Sequence, residues 1–281
     1  MRAVRVAWML TMALAAAPGA WAAGAYIVTS DQPAFAEAAR AAAAALPGAT
    51  VLRADEAARA AVSGADVVVV VGPLAERMVG SFLSSTARAV AVLTPRAASL
   101  PMARSVIIPV AAGADDVLGL LRVVLPSARR VAVFPAAGSD AASLTDQVRA
   151  AGLEPVLPKA GEPFPAAVDR LVGAADVVWI EDTSSIPAGG GALVVKAATD
   201  AGKHVVGPNR ATVLQGALYA VVPDPATQGR TAGEIAARIL GGEQVGVVAP
   251  PEGRIVLNAA RARVLGLKLP QAVARRAESV E

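Results

Sequence analysis

The chain of 281 residues contains no cysteine, one histidine and few aromatic side chains, which make up 3% of the sequence. The absence of cysteine excludes disulfides and thiolate chemistry, and with a single histidine it argues against a zinc site. A Ser-His-Asp triad would depend on His204, and no G-x-S-x-G motif is present. No G-x-G-x-x-G motif follows the first predicted strand, so no dinucleotide cofactor is expected. We therefore expect no enzymatic activity, cofactor or metal, although the lack of a D-x-D-x-D-G loop does not by itself exclude a carboxylate-only Ca²⁺ or Mg²⁺ site.

Excess positive charge is also small. The formal net charge is +3, and Arg2 and Arg5 lie in a predicted leader, which leaves about +1 for the remainder. No run of basic residues alternates with aromatic ones, and such a run is the usual footprint of nucleic-acid binding. We therefore expect no nucleic-acid partner.

The first 22 residues have the features of a cleavable signal peptide. Arg2 and Arg5 are followed by an apolar stretch at residues 6–17 and by Ala20-Trp21-Ala22, which fits the A-x-A cleavage rule. The apolar stretch is shorter than the roughly 20 residues that a spanning helix needs, and an uncleaved N-terminal anchor is the alternative. Without a cysteine, the protein cannot be a lipoprotein. We expect a periplasmic protein.

From residue 25 onwards, predicted strands and helices alternate in two series. Apolar, largely β-branched runs predict the strands of the first series at residues 25–29, 50–53, 66–71, 89–94 and 105–109. Similar runs predict the second series at residues 130–134, 154–157, 177–181, 204–206 and 217–222. Strands that alternate with helices at this spacing favour parallel sheets. The sequence therefore predicts an α/β fold with two Rossmann-like lobes.

The most informative stretch is residues 212–269. It contains GALYAVVPDPATQGRTAGEIAARILGGE and, further on, LNAARARVLGLKLP. The predicted elements are a strand, a Pro-Asp-Pro break, an amphipathic helix, a second strand, and a short helix from Asn258 to Gly266. In order and spacing, the stretch resembles the C-terminal third of the periplasmic substrate-binding proteins of ABC transporters, a family that includes binders of tryptophan, tyrosine or phenylalanine.

The resemblance implies a type I periplasmic binding protein, in which two lobes with parallel sheets are joined by a hinge that the chain crosses several times. It assigns residues 23–116 and 223–253 to lobe 1, and residues 117–222 and 254–281 to lobe 2. The implied function is to bind a small organic solute, such as an amino acid, in the cleft between the lobes of a monomer and to present it to an inner-membrane ABC permease. An orphan binding, sensor or accessory module with the same fold is the alternative function.

Small molecules bind beyond the carboxyl ends of the strands in open α/β sheets. The candidate ligand-binding residues that follow predicted strands are Ser30, Asp31, Gly72, Pro73, Ser143, Asp182, Thr183, Ser184 and Asp224. By resemblance, Asp182 matches the first residue of a D-N-T loop that contacts the ligand. Asp224 matches an acidic residue that can face the amino group of an amino acid. The alternative for both is a local role, Asp182 in a solvated turn and Asp224 as a helix cap.

The chain departs from the family pattern in three loops, one of which is the D-N-T loop, where Thr183 replaces the asparagine. The family has G-T-x-A where this sequence has Gly72-Pro73-Leu74-Ala75, and Pro73 removes both the hydroxyl and an N–H donor. Ala142 stands before Ser143 where the family often has asparagine. The departure at Pro73 weakens the expectation that a ligand carboxylate binds there. Trp179, Tyr26 and Tyr219 lie near predicted strands and are interpreted as core residues.

Overall fold

The chain folds around two separate β-sheets, one of five strands and one of seven. The computed structural model describes residues 24–94, 97–110, 112–183, 185–267 and 269–280. The predicted signal peptide (residues 1–22) and Ser184 lie outside the described residues. Each sheet forms one lobe together with its helices, so the predicted two-lobed α/β fold is confirmed.

The sheet of the first lobe is entirely parallel, with the strand order β2-β1-β3-β4-β5. Its strands are β1 (Ala25–Thr29), β2 (Thr50–Arg53), β3 (Val67–Val71), β4 (Arg88–Val92) and β5 (Ser105–Ile107). The helices are α1 (Pro33–Ala45), α2 (Glu56–Ser63) and α3 (Gly72–Gly80), and a 3₁₀ turn (Met102–Arg104) precedes β5. All five valines of β3 are buried, because the central strand of a parallel sheet is covered by helices on both faces.

The sheet of the second lobe has the strand order β12-β11-β10-β9-β8-β6-β7. Its strands are β6 (Arg130–Phe134), β7 (Glu154–Val156), β8 (Val177–Ile180), β9 (His204–Gly207), β10 (Tyr219–Val222), β11 (Arg254–Asn258) and β12 (Ala277–Val280). Its helices are α4 (Ala114–Val124), α5 (Ala141–Ala150), α6 (Phe164–Ala174), α7 (Gly190–Asp200), α8 (Arg210–Leu214), α10 (Ala259–Val264) and α11 (Gln271–Arg276). The antiparallel pairing of β10 with β11 is the exception in a sheet whose other described pairings are parallel.

The longest described helix, α9 (Pro225–Leu240), follows β10 of the second lobe but packs against the first lobe. Ile235 and Ala236 are buried in the core that contains residues of β1, β3 and β4. The helix runs along α1, and the contact is close at Gly229 and Gly233. A Cβ added at Gly229 would lie 2.6 Å from the carbonyl carbon of Ala38. The missing side chains therefore allow the two helix backbones to approach each other.

The chain passes between the lobes three times: from β5 to α4, from β10 to α9, and from α9 to β11. The first and second of these crossing segments are tied together by Gln228. This side chain is only 1% exposed, and its Nε2 donates a hydrogen bond to the carbonyl oxygen of Pro109 at 2.9 Å. The start of α9 is thus held against the first crossing segment.

The second lobe contains features that the sequence analysis did not predict. Gly189 has a φ of 77° and is the N-cap of α7, which begins at Gly190. β11 is antiparallel to β10, because the chain returns to the second lobe only after α9, which packs against the first lobe. The edge strand β12 and the short helix α8 were not predicted. Both are too short for a periodic pattern, and β12 is specified by pairing with β11.

Candidate functional site

A cavity of about 470 Å³ lies where the carboxyl ends of the second sheet meet the crossing segments. Its walls include Trp179, Glu181 and Asp182 from β8 and the loop after it, and Pro109, Val110 and Pro223 from the crossing segments. Parallel sheets bind small molecules at this edge, and the volume falls within the range of small-molecule sites. The cavity is therefore the candidate solute site.

Glu181 fixes the shape of one wall. Its Oε2 accepts hydrogen bonds from the backbone N–H of Ala136 and from Oγ of Ser139, both at 2.8 Å. The carboxylate thus ties the loop after β6 to the end of β8 while it lines the cavity. The sequence prediction missed Glu181 because it was counted as the last residue of a strand. An acidic residue directly after a buried apolar run, next to Asp182, was the available signal.

Of the residues predicted in the loop after β8, Asp182 lines the cavity. Its side chain is half-buried, and Oδ1 accepts a hydrogen bond from the backbone N–H of Thr183 at 2.6 Å. Thr183 is exposed, and Ser184 lies outside the described residues. The ligand-binding role of this loop stays a prediction, and Asp182 is its best-placed residue.

Trp179 is both a core residue and part of the cavity wall. It is 3% exposed, belongs to the main core of the second lobe, and lines the cavity. Tyr219 is completely buried, and its hydroxyl donates to the carbonyl oxygen of Val117 at 2.9 Å. Burial raises the pKa of Tyr219 well above its usual value. Tyr26 packs in the first lobe. Trp179 is therefore the aromatic residue of these three that reaches the cavity.

Four predicted residues lie at the carboxyl edge of the first sheet, outside the cavity wall: Ser30, Asp31, Gly72 and Pro73. Asp31 forms an ion pair with Arg53, the last residue of β2. Oγ of Ser30 is buried, and no hydrogen-bond partner is present among the described residues. The same holds for Oγ1 of Thr94, which follows β4. Buried hydroxyls usually have a partner, so a polar group or water is expected at this edge.

The start of α3, also at this edge, is covered by an aromatic ring. Gly72 has a φ of 85°, in the left-handed region that favours glycine. A Cβ at Gly72 would lie 2.8 Å from Cε2 of Phe35, so the ring sits directly on this glycine. Pro73 follows and has no N–H to donate. The helix start that the family pattern assigns to a ligand carboxylate is therefore apolar and covered.

Ser143 does not reach the cavity. It lies exposed on α5, where its backbone N–H donates to Oδ2 of Asp140, the N-cap of the helix, at 3.2 Å. Its Oγ accepts a hydrogen bond from Nε2 of Gln147 at 3.1 Å, one turn further along α5. Its hydroxyl therefore forms a hydrogen bond along the surface of α5 and does not face the cavity.

Asp224 is the N-cap of α9, as the alternative interpretation of this residue proposed. Its Oδ1 accepts from the backbone N–H groups of Ala226 and Thr227 at 2.9 and 3.2 Å. Its Oδ2 lies 3.3 Å from NH2 of Arg254, which also approaches Glu37 of α1 at 3.6 Å. Asp224 lines a different cavity, of about 420 Å³, together with Arg254. Both carboxylate oxygens of Asp224 are thus engaged, one by N–H groups at the start of α9 and the other by Arg254.

The described residues contain no cluster of three or more histidine or acidic side chains that could hold a metal ion. His204 begins β9, so it lies at the opposite end of the parallel strands from the cavity. Its Nδ1 is buried, without a partner among the described residues. Within the part of the chain that the structure describes, no helix combines the length and apolarity needed to cross a membrane.

The position of His204 predicts a pH dependence of stability. Burial, and then the charges of Arg261 and Lys203, lower the pKa of His204 from its usual 6.5. Below pH 6.5 the unfolded chain therefore binds a proton that the folded chain resists, and the free energy of unfolding falls as the pH falls through this range. His204 is the only histidine, so His204→Gln is expected to flatten the difference between denaturation curves at pH 7.5 and 5.5. An NMR titration of the single imidazole with a pKa at or above 6.5 would contradict this expectation.

The family model described as "ABC transporter substrate binding protein" matches residues 111–281, more than half of the chain. No curated protein sequence matches the chain.

Three solved structures share the fold. The ABC domain from Streptococcus pneumoniae in complex with L-Trp has a TM-score of 0.52 and 18% identity, over 92% of this chain and 100% of that one. A ligand-free, open substrate-binding protein with adhesive properties from Clostridium difficile has a TM-score of 0.63 and 18% identity, over 92% and 98%. A conserved domain protein from Vibrio cholerae has a TM-score of 0.52 and 19% identity, over 92% and 98%. The chain belongs to the family of ABC transporter substrate-binding proteins.

Proposed function

We propose that this protein binds a small organic solute in the cavity beside the crossing segments and presents it to an inner-membrane ABC permease from the periplasm. The observation that carries the proposal is the cavity itself. It joins the carboxyl ends of β8 and β9 to two of the segments that connect the lobes. A solute bound there touches the parts of the chain that must bend when the lobes move.

Binding would act through closure of the lobes. A ligand shifts a conformational equilibrium only by its difference in affinity between the two states, and a solute held by both lobes favours the closed one. The proposed lobes are residues 23–116 and 223–253 for the first and residues 117–222 and 254–281 for the second, with the first boundary at the beginning of α4, which packs in the core of the second lobe. The three crossing segments then form the hinge, which bends at a few residues between rigid lobes.

In this proposal the protein binds its solute without catalysing a reaction on it. The cavity wall offers carboxylates and apolar groups, and the only histidine of the chain lies at the far end of the sheet. General acid–base catalysis requires a titratable group within hydrogen-bond reach of the reacting atom. Asp182 and Glu181 alone would have to supply it, and Glu181 already holds the loop after β6.

The test is a thermal-shift screen of the purified protein against amino acids, amines, organic acids and sugars, combined with small-angle scattering. A solute at 100 times its dissociation constant adds about 2.7 kcal/mol to the free energy of unfolding, which raises the midpoint by several degrees in a chain of this size. The same solute is expected to reduce the radius of gyration, because the lobes close. If no compound of the screen raises the midpoint, an accessory role without a solute replaces this proposal.

A further inference from the structure

The charged side chains of the candidate solute site are of one sign. Among the described residues that line the cavity, Glu181 and Asp182 are acidic and none is basic. The remaining wall is largely apolar and includes Trp179, Val110 and Val221. An anionic solute would meet two carboxylates there with no compensating cation, and a buried charge without a partner is costly.

Three arginines at the same edges of the two sheets already form ion pairs. Arg53, at the end of β2, forms an ion pair with Asp31. Arg210, which follows β9, pairs with Glu278, and Arg254, which faces the end of β10, pairs with Asp224. Recruiting one of these guanidinium groups for a solute carboxylate would break its ion pair. These three arginines therefore offer an anion little attraction.

Helix starts at the carboxyl edge of the first sheet do not replace these cations. Pro33 is the first residue of α1 and Pro73 the second residue of α3, and each lacks an N–H. The ring of Phe35 lies directly on Gly72 at the start of α3. Anion binding at a helix start relies on free, exposed N–H groups. The starts of α1 and α3 therefore offer a carboxylate fewer N–H donors, which leaves the hydroxyls of Ser30 and Thr94 as the polar groups without a described partner on this side.

We propose that the solute is a primary amine or a comparable organic cation with an apolar body and without a carboxylate, which sets it apart from an amino acid. This inference rests on the proposed function and narrows it. The ammonium group donates hydrogen bonds to Asp182 and to Glu181, whose Oε1 takes part in neither bond to the loop after β6. The apolar body lies against Trp179 and the crossing segments.

A panel with one shared phenylethyl body and four head groups, cationic, neutral, anionic and zwitterionic, tests the inference. The purified protein is titrated with 2-phenylethylamine, 2-phenylethanol, 3-phenylpropionate and L-phenylalanine, and the panel is repeated on a straight six-carbon chain. Within each skeleton, the amine is expected to bind at least tenfold more tightly than the alcohol, acid or amino acid, because a hydrogen bond between charged groups accounts for roughly a tenfold or larger factor. Isothermal titration and the thermal midpoint provide independent readings.

Two conservative variants locate the ammonium group. Asp182→Asn and Glu181→Gln each remove one charge and keep the shape, and Gln at position 181 can still accept from Ala136 and Ser139. Each is expected to weaken amine binding roughly tenfold or more and to leave the affinity for the neutral alcohol within about twofold. Asp169→Asn, on the exposed face of α6, is the matched control and should bind the amine as the parent does.

The outcomes separate the two proposals. If the acid or the amino acid binds as tightly as the amine, the inference that the solute is an organic cation is wrong. The proposed solute-binding function is then retained. If the amine binds but neither variant weakens it, the assignment to this cavity is overturned. If no member of either panel binds, and the wider screen finds no solute, both the inference and the proposed function fail.

Discussion

Gly229→Ala is expected to lower the free energy of unfolding by roughly 3 kcal/mol. Its new Cβ would lie 2.6 Å from the carbonyl carbon of Ala38, and the neighbouring atoms are backbone atoms of α1 that no rotamer change can move. Overpacking of a tight contact typically costs 1–3 kcal/mol and sometimes more. The cost here exceeds the roughly 1 kcal/mol that alanine gains over glycine inside a helix. Urea denaturation measures the change.

Gly119→Ala is the matched control. Gly119 lies within α4, and a Cβ added there would meet no described atom within 4 Å. This substitution should stabilise the protein by about 0.5–1 kcal/mol through helix propensity. Equal effects of the two substitutions would show that α9 does not lie against α1 as described.

Trp179→Ala is expected to cost about 3–5 kcal/mol, because a large side chain that is 3% exposed leaves a cavity in the core of the second lobe. Denaturation curves of the variant and the parent give the difference. Leu193→Ala, on the exposed face of α7, is the control and should change stability by less than about 0.5 kcal/mol. A cost below 1 kcal/mol for Trp179→Ala would contradict its place in the core.

Trp179 also provides an optical measurement of the site. The other two tryptophans, Trp8 and Trp21, lie in the predicted signal peptide, so Trp179 is the single indole once that segment is removed. Since it lines the cavity, its emission is expected to change when a solute binds. A solute that raises the thermal midpoint without changing the emission would bind elsewhere.

Most elements of the fold could be predicted from the sequence because their signals are local. The run of valines at 67–71 and the amphipathic pattern of α9 required no knowledge of neighbours. The predicted N-cap at Asn258 and the glycine stop at Gly266 are confirmed: Oδ1 of Asn258 accepts from the N–H of Arg261, and Gly266 has a φ of 61°. Each of these features depends on residues within one turn or one strand.

The candidate site was predictable only in part, because a cavity depends on which strand ends the fold brings together. Asp182 reaches the cavity and Ser143 does not, although each was predicted at a helix start or loop after a strand. Asp224 was assigned both a ligand role and a cap role, and its hydrogen bonds show the cap. Glu181 was counted as the end of a strand, and its contacts with Ala136 and Ser139, which join residues more than forty positions apart, could not be read from the local sequence.

The sequence by itself determined the alternation of strands and helices, the two-lobed fold class and the family. Periodicity, turns and motif spacing depend only on residues that are near one another in the sequence. The tertiary structure decided the rest: that the ring of Phe35 covers Gly72, that Arg53 and Arg210 at the sheet edges form ion pairs, and that Glu181 and Asp182 line the cavity. These properties arise from contacts between distant segments, whose geometry is set by packing and by no local pattern.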